Sequence, residues 1–133
     1  MNKRNIILIG MPGAGKSSVG VILAKALGYE FIDTDLVIQH REKRLLREII
    51  ADEGNEGFLA IENEVNATLE ADESVIAPGG SAIYGKEAME HFKEIGTIVY
   101  LKLSYEDLAK RLGNLKGRGV VLIGHDQGAG LLT

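Results

Sequence analysis

The 133-residue sequence contains no cysteine. This absence excludes a disulfide framework, a thiolate metal site and a cysteine nucleophile. Positive charge is not in excess either, since the formal net charge is −4. Domains that bind nucleic acid usually carry a basic patch, so we expect no nucleic-acid partner. No apolar run reaches membrane-spanning length. The apolar stretch after Lys3 and Arg4 breaks at Gly10, which is too soon for a signal peptide.

These absences favour a cytoplasmic protein that has no membrane partner. The hydrophobic fraction of 45% and the charged fraction of 26% are ordinary for a globular chain. The length predicts one domain with a proper core. The sequence shows no internal repeat and no low-complexity segment. We expect a monomer.

Residues 10–17 read GMPGAGKS and fit the phosphate-loop pattern G-x-x-x-x-G-K-[ST]. A predicted strand, Asn5–Ile9, precedes them, and a predicted helix, Lys16–Leu27, follows. Glycines let backbone N–H groups approach a polyphosphate, and the helix N-terminus favours an anion. Lys16 can reach the outer phosphates, and the Ser17 hydroxyl can bind Mg²⁺. A chance glycine-rich turn would not have this context. The loop predicts nucleotide binding and leaves the reaction open.

Apolar periodicity predicts that strands and helices alternate along the rest of the chain. Such alternation indicates an α/β fold with a parallel sheet covered on both faces, and ligands bind beyond the carboxyl ends of its strands. Three motifs follow predicted strands, at residues 10–17, 33–35 and 79–81, and we expect them to meet at one edge. The further predicted elements are strand Glu30–Asp33, helices Leu36–Arg41, Leu45–Asp52 and Glu56–Glu70, strand Ser74–Ala77, helix Lys86–Glu94, strand Thr97–Leu101 and a helix from Ser104 to about Leu112.

Asp33 is the last residue of the second predicted strand, and Asp35 follows two residues later. Carboxylates two residues apart on an extended segment point to the same side. One could hold Mg²⁺ through water, and the other could accept the proton of an attacking hydroxyl. The alternative is that Asp35 only caps a helix beginning at Leu36. Capping by Asp35 would not explain Asp33.

The third motif is Gly79-Gly80-Ser81, after Pro78. Paired glycines expose backbone N–H groups to a polar ligand, and Ser81 adds a hydroxyl. Taken alone, the motif would be interpreted as an ordinary glycine turn.

Together and in this order, the three motifs resemble those of the shikimate kinase family. The matching stretches are GMPGAGKSSVG at 10–20, FIDTD at 31–35 and VIAPGGS at 75–81, where Ser81 replaces a usual third glycine. Residues 108–112, through Arg118, look like the start of the family's mobile lid. The resemblance covers about residues 4 to 120 and implies a three-layer sandwich of the P-loop NTPase type. Four strands of its sheet are found in the sequence, and we expect the usual fifth to be missing.

The resemblance implies ATP-dependent phosphorylation of shikimate to shikimate 3-phosphate, with Mg²⁺, in aromatic amino acid biosynthesis. Asp35 would bind a substrate hydroxyl and act as base, and the lid arginine Arg118 would reach over ATP. Ser17 and Asp33 would hold the metal. The residues implied in phosphate binding are Gly13, Ala14, Gly15, Lys16, Ser17 and Ser18. Those implied in substrate binding are Asp35, Gly79, Gly80 and Ser81. The catalytic residues would be Asp35, Lys16 and Arg118.

Some positions depart from the family. Leu59 follows Phe58 where the family has an arginine that grips the shikimate carboxylate, and leucine cannot replace a bidentate clamp. Gly119 replaces a proline after the lid arginine, and a second carboxylate-binding arginine, on a C-terminal helix, is missing. Two alternatives therefore stay open: a related kinase with a different acceptor, and a nucleotide-binding module with impaired catalysis.

The glycine-rich end of the sequence has no helical period. We expect a kinase domain over residues 1–123, with its lid at about 113–120, and an irregular tail over 124–133. A truncation or a shifted reading frame would explain this tail. A missing strand would leave an uncovered sheet edge and reduce stability.

Overall fold

The computed structural model describes residues 4–10 and 16–101. The predicted helix from Ser104, the lid and the tail lie outside the described residues. Within them, each predicted strand is present to within one residue. The elements are β1 (Asn5–Gly10), α1 (Lys16–Leu27), β2 (Glu30–Asp33), α2 (Thr34–Glu42), α3 (Leu46–Ala67), β3 (Ser74–Ala77), a 3₁₀ turn (Ala82–Tyr84), α4 (Lys86–Ile95) and β4 (Gly96–Leu101).

The four described strands form one parallel sheet in the order β2-β3-β1-β4. The phosphate-loop strand β1 is therefore central. It pairs Ile7 with Ile76 on one side and with Ile98 on the other. A central parallel strand is buried on both faces, which explains its uninterrupted apolar run. The prediction of a parallel α/β sheet is confirmed.

Both faces of the sheet are covered, because successive side chains of a strand point to opposite sides. Leu8 packs with α1 residues such as Val19 and Leu23. Its neighbour Ile7 packs on the other face with residues of α4, including Phe92. A smaller cluster of Ile38, Ile49 and Val65 joins α2 to α3. The result is a three-layer arrangement, as the motifs imply.

Helix α3 runs from Leu46 to Ala67 with a kink at Gly54, whose φ is 76°. The sequence predicts two helices here, Leu45–Asp52 and Glu56–Glu70. The structure has both helical segments, which meet at Gly54, where the backbone angles (φ 76°, ψ 175°) are not helical, and the second segment ends three residues earlier than predicted. Only glycine readily takes this backbone conformation, so the helix bends at this residue. None of the described helices is both long and apolar enough to cross a membrane.

The start of α2 differs from the prediction. The helix begins at Thr34, and its N-cap is Asp33, whose carboxylate accepts a hydrogen bond from the Asp35 backbone N–H at 2.9 Å. The predictions of an extended segment through Asp35, and of Asp35 as the possible cap, are wrong. Asp33 can satisfy an unpaired N–H of the first turn as soon as β2 ends, so the helix starts two residues earlier than predicted.

Candidate functional site

Lys16 lies at the start of α1, directly beyond the carboxyl end of the central strand. Its ammonium group donates a hydrogen bond to the Gly10 carbonyl at 2.8 Å, so it reaches back to the end of β1. Burial lowers the pKa of Lys16, and the nearby charge of Asp35 opposes this shift. Ser17 and Ser18 are exposed on the first turn of the helix. An ammonium group and hydroxyls thus line the beginning of α1.

The loop residues Gly13, Ala14 and Gly15 lie outside the described residues, and so does Arg118. Their assigned roles in phosphate binding and catalysis stay predictions.

Asp35 is half-buried in the first turn of α2. Burial raises its pKa, and the negative charge of Asp33 raises it further, while Lys16 acts in the opposite direction. A carboxylate whose pKa is raised is a stronger base once ionised. The structure therefore brings a carboxylate and an ammonium group together at the edge where the strand-end motifs are predicted to meet.

Gly79 lies against Asp35 after the end of β3. A Cβ atom at this position would be 2.9 Å from Asp35 Oδ1 and 3.0 Å from Glu62 Oε2. Any side chain here would displace at least one of the two carboxylates. Glycine at this position therefore leaves room for both carboxylate groups where they lie. Gly80 is exposed, and Ser81 is half-buried.

Glu62 is a further candidate site residue that is not among those predicted from the sequence. It lies on α3, is only 2% exposed, and accepts a hydrogen bond from Ser81 Oγ at 2.7 Å. Burial raises the pKa of Glu62, and the charge of Asp35 adds to this effect, whereas the Ser81 hydrogen bond lowers the pKa. One signal could have indicated it: Glu62 is four residues after Phe58 and three before Val65, so a carboxylate occupies the apolar face of the helix.

A cavity of about 290 Å³ adjoins Glu62 and Ser81, between α3, the 3₁₀ turn and the start of α4. Leu59 lies in its wall and is 37% exposed. Two residues of α4, Lys86 and Glu87, line the far side. Leu59 stands at the position where the family would place a carboxylate-binding arginine. It thus contributes an apolar side chain to a cavity next to Glu62 and Asp35.

The side chain of Asn63 joins α3 to the start of α4 beside this cavity. Its amide donates to Glu87 Oε1 at 2.9 Å, and its oxygen accepts from the Ala88 backbone N–H at 2.9 Å. The hydrogen bond from Asn63 lowers the pKa of the exposed Glu87 carboxyl. This wall of the cavity is therefore held by two hydrogen bonds that cross between helices.

The oxygen groups of Asp33 and Ser17 suit a hard cation. One oxygen of Asp33 is used in capping α2, which leaves the other available. Within residues 4–10 and 16–101, no group of three or more Asp, Glu and His side chains forms a metal cage. Mg²⁺ in phosphate-transfer sites commonly uses one or two protein oxygens together with phosphates and waters, so this donor set fits that cation.

The phosphate-loop sequence follows the central strand, and its Lys16 lies close to Asp35, the carboxylate that follows β2. These two features define the class of protein. The chain is an α/β protein with the P-loop kinase fold. It belongs to the shikimate kinase family, because the family model for shikimate kinase matches residues 12–127. The resemblance found in the motifs is thereby confirmed.

Individual relatives agree with this assignment. Shikimate kinase 2 of Yersinia pseudotuberculosis is 38% identical over 109 residues, which are 82% of this chain and 63% of the relative. The structure is similar to a shikimate kinase from Acinetobacter baumannii in complex with shikimate, with a TM-score of 0.70 and 35% identity, over 87% of this chain and 65% of that one. The structure is also similar to the shikimate kinase from Bacteroides thetaiotaomicron, with a TM-score of 0.68 and 32% identity, over 83% of this chain and 63% of that one. The chain thus spans less than two thirds of the length of these relatives.

Proposed function

We propose that the protein transfers the γ-phosphoryl group of ATP to a hydroxyl of shikimate, which yields shikimate 3-phosphate and ADP. The observation that carries the proposal is the meeting of Lys16, Asp35 and Gly79 at one edge of the sheet, in a chain of the shikimate kinase family. The relative from Acinetobacter baumannii was solved with shikimate, which supports this choice of acceptor.

In the proposed reaction, Asp35 accepts the proton of the acceptor hydroxyl as its oxygen attacks the γ-phosphorus. The new oxygen–phosphorus bond forms while the bond from the γ-phosphorus to the β–γ bridging oxygen breaks, and ADP leaves with that electron pair. Lys16 neutralises charge on the phosphates. Burial and the neighbouring Asp33 raise the pKa of Asp35, which strengthens it as the base.

The phosphates would lie over the loop and the first turn of α1, where backbone N–H groups and the positive end of the helix dipole favour anions. Ser17 and Asp33 would hold Mg²⁺, which supplies charge neutralisation and orients the phosphates. The residue roles assigned to Gly13, Ala14, Gly15, Ser18 and Arg118 form part of the same proposal.

The test is a coupled assay of ADP release with the purified chain, ATP, Mg²⁺ and shikimate, with ³¹P NMR of the product. We expect ADP release to depend on shikimate and the product to be a phosphate monoester. ADP release at the same rate without shikimate would remove shikimate as the acceptor. Nucleotide binding by calorimetry, with no transfer to any acceptor, would instead favour a nucleotide-binding module.

A second candidate is a kinase of the same fold that acts on another hydroxyl compound. The observation that favours it is Leu59, an apolar residue in the cavity wall next to the buried Glu62. Neither residue attracts a carboxylate. A panel of neutral polyols and hydroxy acids distinguishes the candidates, because a neutral acceptor should turn over better than shikimate if the second is right. In the Leu59→Arg variant, KM for shikimate should fall only if shikimate binds in this cavity.

A further inference from the structure

The environment of Glu62 is unusual for a buried carboxylate. Among the described residues, its one hydrogen-bond donor is Ser81, whose hydroxyl contacts Oε1 at 2.7 Å. Its other oxygen, Oε2, lies 3.0 Å from the point that a Gly79 Cβ would occupy, opposite Asp35 Oδ1. An ionised carboxylate that is buried without a partner is costly, so its single donor has a large effect on where the group lies and whether it is charged.

The charges around Glu62 do not compensate its own. Asp35 faces it from α2 and disfavours its ionised form. From the start of α4, Lys86 and Glu87 line the cavity with opposite charges, and both are exposed. The ion pairs of the described part of the chain do not include Glu62. Leu59, one turn earlier on α3, has no donor to offer.

Ser81 is held in place by the turn that follows β3. Its carbonyl accepts a hydrogen bond from the Tyr84 backbone N–H at 3.1 Å, and the Gly79 carbonyl accepts one from the Ala82 N–H at 3.1 Å. The backbone of Ser81 has φ −89° and ψ 1°, which residues other than glycine adopt without strain. The Cα–Cβ direction of Ser81 is thus set by hydrogen-bonded backbone, its hydroxyl contacts Glu62 Oε1, and alanine or threonine should fit the same backbone.

We propose that Ser81 is a positioning residue of the acceptor site, whose hydroxyl holds the buried Glu62 carboxylate in one orientation between the cavity and Asp35. This inference rests on the proposed function, because it assigns the pair to acceptor binding. Without the hydroxyl, the ionised form of Glu62 loses its one described donor, so the carboxyl takes up a proton more readily and is no longer held in one orientation. Either change alters the shape and charge that an acceptor meets, and neither touches the phosphate loop.

The first test does not depend on activity. The carboxyl ¹³C resonance of Glu62, assigned with Glu62→Gln, is titrated by NMR in the wild type, Ser81→Ala and Ser81→Thr. The pKa of Glu62 should be higher in Ser81→Ala, because a hydrogen bond that favours the ionised form is lost, while Ser81→Thr should resemble the wild type. An equal pKa in Ser81→Ala and the wild type would overturn the proposal. Thermal unfolding verifies that each variant folds, and Ser81→Gly provides a second variant without the hydroxyl.

The second test measures phosphate transfer to shikimate. Loss of a hydrogen bond to a charged group corresponds to about a tenfold effect, so Ser81→Ala should raise KM for the acceptor about tenfold and leave KM for ATP unchanged. Ser81→Thr should restore the wild-type KM. An equal rise of both KM values, or no rescue by threonine, would overturn the positioning role. If the wild type itself transfers no phosphate, the proposed function fails, and the NMR titration still decides whether Ser81 holds Glu62.

Discussion

Asn5 and Glu62 are both only 2% exposed, yet they lie at opposite ends of the sheet and in opposite electrostatic conditions. Asn5 begins the central strand. Its amide donates to the carbonyls of Ala71 and Ile95, each at 2.9 Å, and its oxygen accepts from the Ser74 N–H at 3.0 Å. Each polar atom of this side chain is therefore satisfied.

Glu62 lies at the carboxyl edge with one described hydrogen bond and a second carboxylate facing it. Asn5 and Glu62 are thus equally buried but lie in different environments. The Asn5 amide has its hydrogen-bond partners, whereas the Glu62 carboxylate faces a like charge. Burial alone does not separate a structural polar residue from a functional one. Asn5 and Glu62 differ in the balance of hydrogen bonds and like charges, and the balance at Glu62 is the kind that the proposed acceptor site would use.

The largest effect is expected at Asp35, which lies at the carboxyl edge of the sheet. Asp35→Asn removes the proposed base, so phosphate transfer should fall by about 10²–10⁴-fold. Nucleotide affinity should stay within about twofold, because asparagine keeps the shape of the side chain and the loop is untouched. Steady-state kinetics and calorimetry measure the two quantities. Glu94→Gln, at an exposed position of α4, is the matched control. Transfer by Asp35→Asn at the wild-type rate would rule out a base at this position.

The second-largest effect is expected at Asn5, which lies at the amino end of the sheet. Asn5→Ala leaves two carbonyls and one N–H without their partner, so the free energy of unfolding should fall by about 2–4 kcal/mol. Urea denaturation measures the loss. Nucleotide affinity under folding conditions should not change, because the residue is remote from Lys16. The exposed control Glu90→Ala should stay within about 0.5 kcal/mol of the wild type. A comparable loss of nucleotide affinity in Asn5→Ala would show that the two ends are coupled.

A smaller effect is expected at Gly79. An alanine Cβ there would press on Asp35 Oδ1 and Glu62 Oε2, so KM for the acceptor should rise about tenfold while KM for ATP holds. Gly28→Ala is the control, because Gly28 has φ 73° and, chain neighbours aside, no heavy atom of the described residues lies within 4 Å of its added Cβ. That variant should lose about 1 kcal/mol of stability and keep the acceptor KM. Equal kinetic changes in both variants would attribute the Gly79 effect to general destabilisation.

The smallest effect is a change in the pH dependence of stability. Folding raises the pKa of Glu62 above 4.5, so the folded state binds more protons than the unfolded state as the pH rises through this window. The contribution of Glu62 to the free energy of unfolding therefore decreases with rising pH. Glu62→Gln removes this contribution, and the stability of this variant should decline less steeply as the pH rises above the ordinary pKa of a glutamate. A residual decline is expected from Asp35, whose pKa is also raised.

Urea denaturation at a series of pH values measures both slopes. Glu87→Gln is the control, because the pKa of that exposed carboxyl is lowered, not raised. Its substitution should not flatten the decline. Parallel slopes for the wild type and Glu62→Gln would contradict the electrostatic difference drawn between Glu62 and Asn5.

Prediction from the sequence succeeds where the cause is local. The bounds of α1 and β2 are predicted correctly, because glycine signals and apolar periodicity act within a few residues. The start of α2 is predicted wrongly, because Asp33 and Asp35 are both plausible caps and only the geometry at the end of β2 selects between them. The interruption between the two helical segments of α3 is predicted correctly, because Gly54 takes a non-helical conformation that glycine readily adopts.

The candidate site likewise has a part that could be predicted from the sequence and a part that could not. A phosphate loop is one contiguous segment whose backbone carries the chemistry, so residues 10–17 predict nucleotide binding without any knowledge of packing. The loop residues themselves lie outside the described part of the chain, and their roles stay predictions. Asp35, Gly79 and Ser81 could be predicted as candidates because each follows a strand.

The partnership of Glu62 with Ser81 and Asp35 is decided by tertiary structure alone. Ser81 is 19 residues from Glu62 along the chain, and Asp35 is on a different helix. Whether a glutamate on α3 is solvated or buried depends on what packs over it, and so does the sign of its pKa shift. The chemistry of a phosphate loop depends on consecutive residues, so the sequence alone predicts it. Desolvation and coupling between charges arise only when distant segments come together.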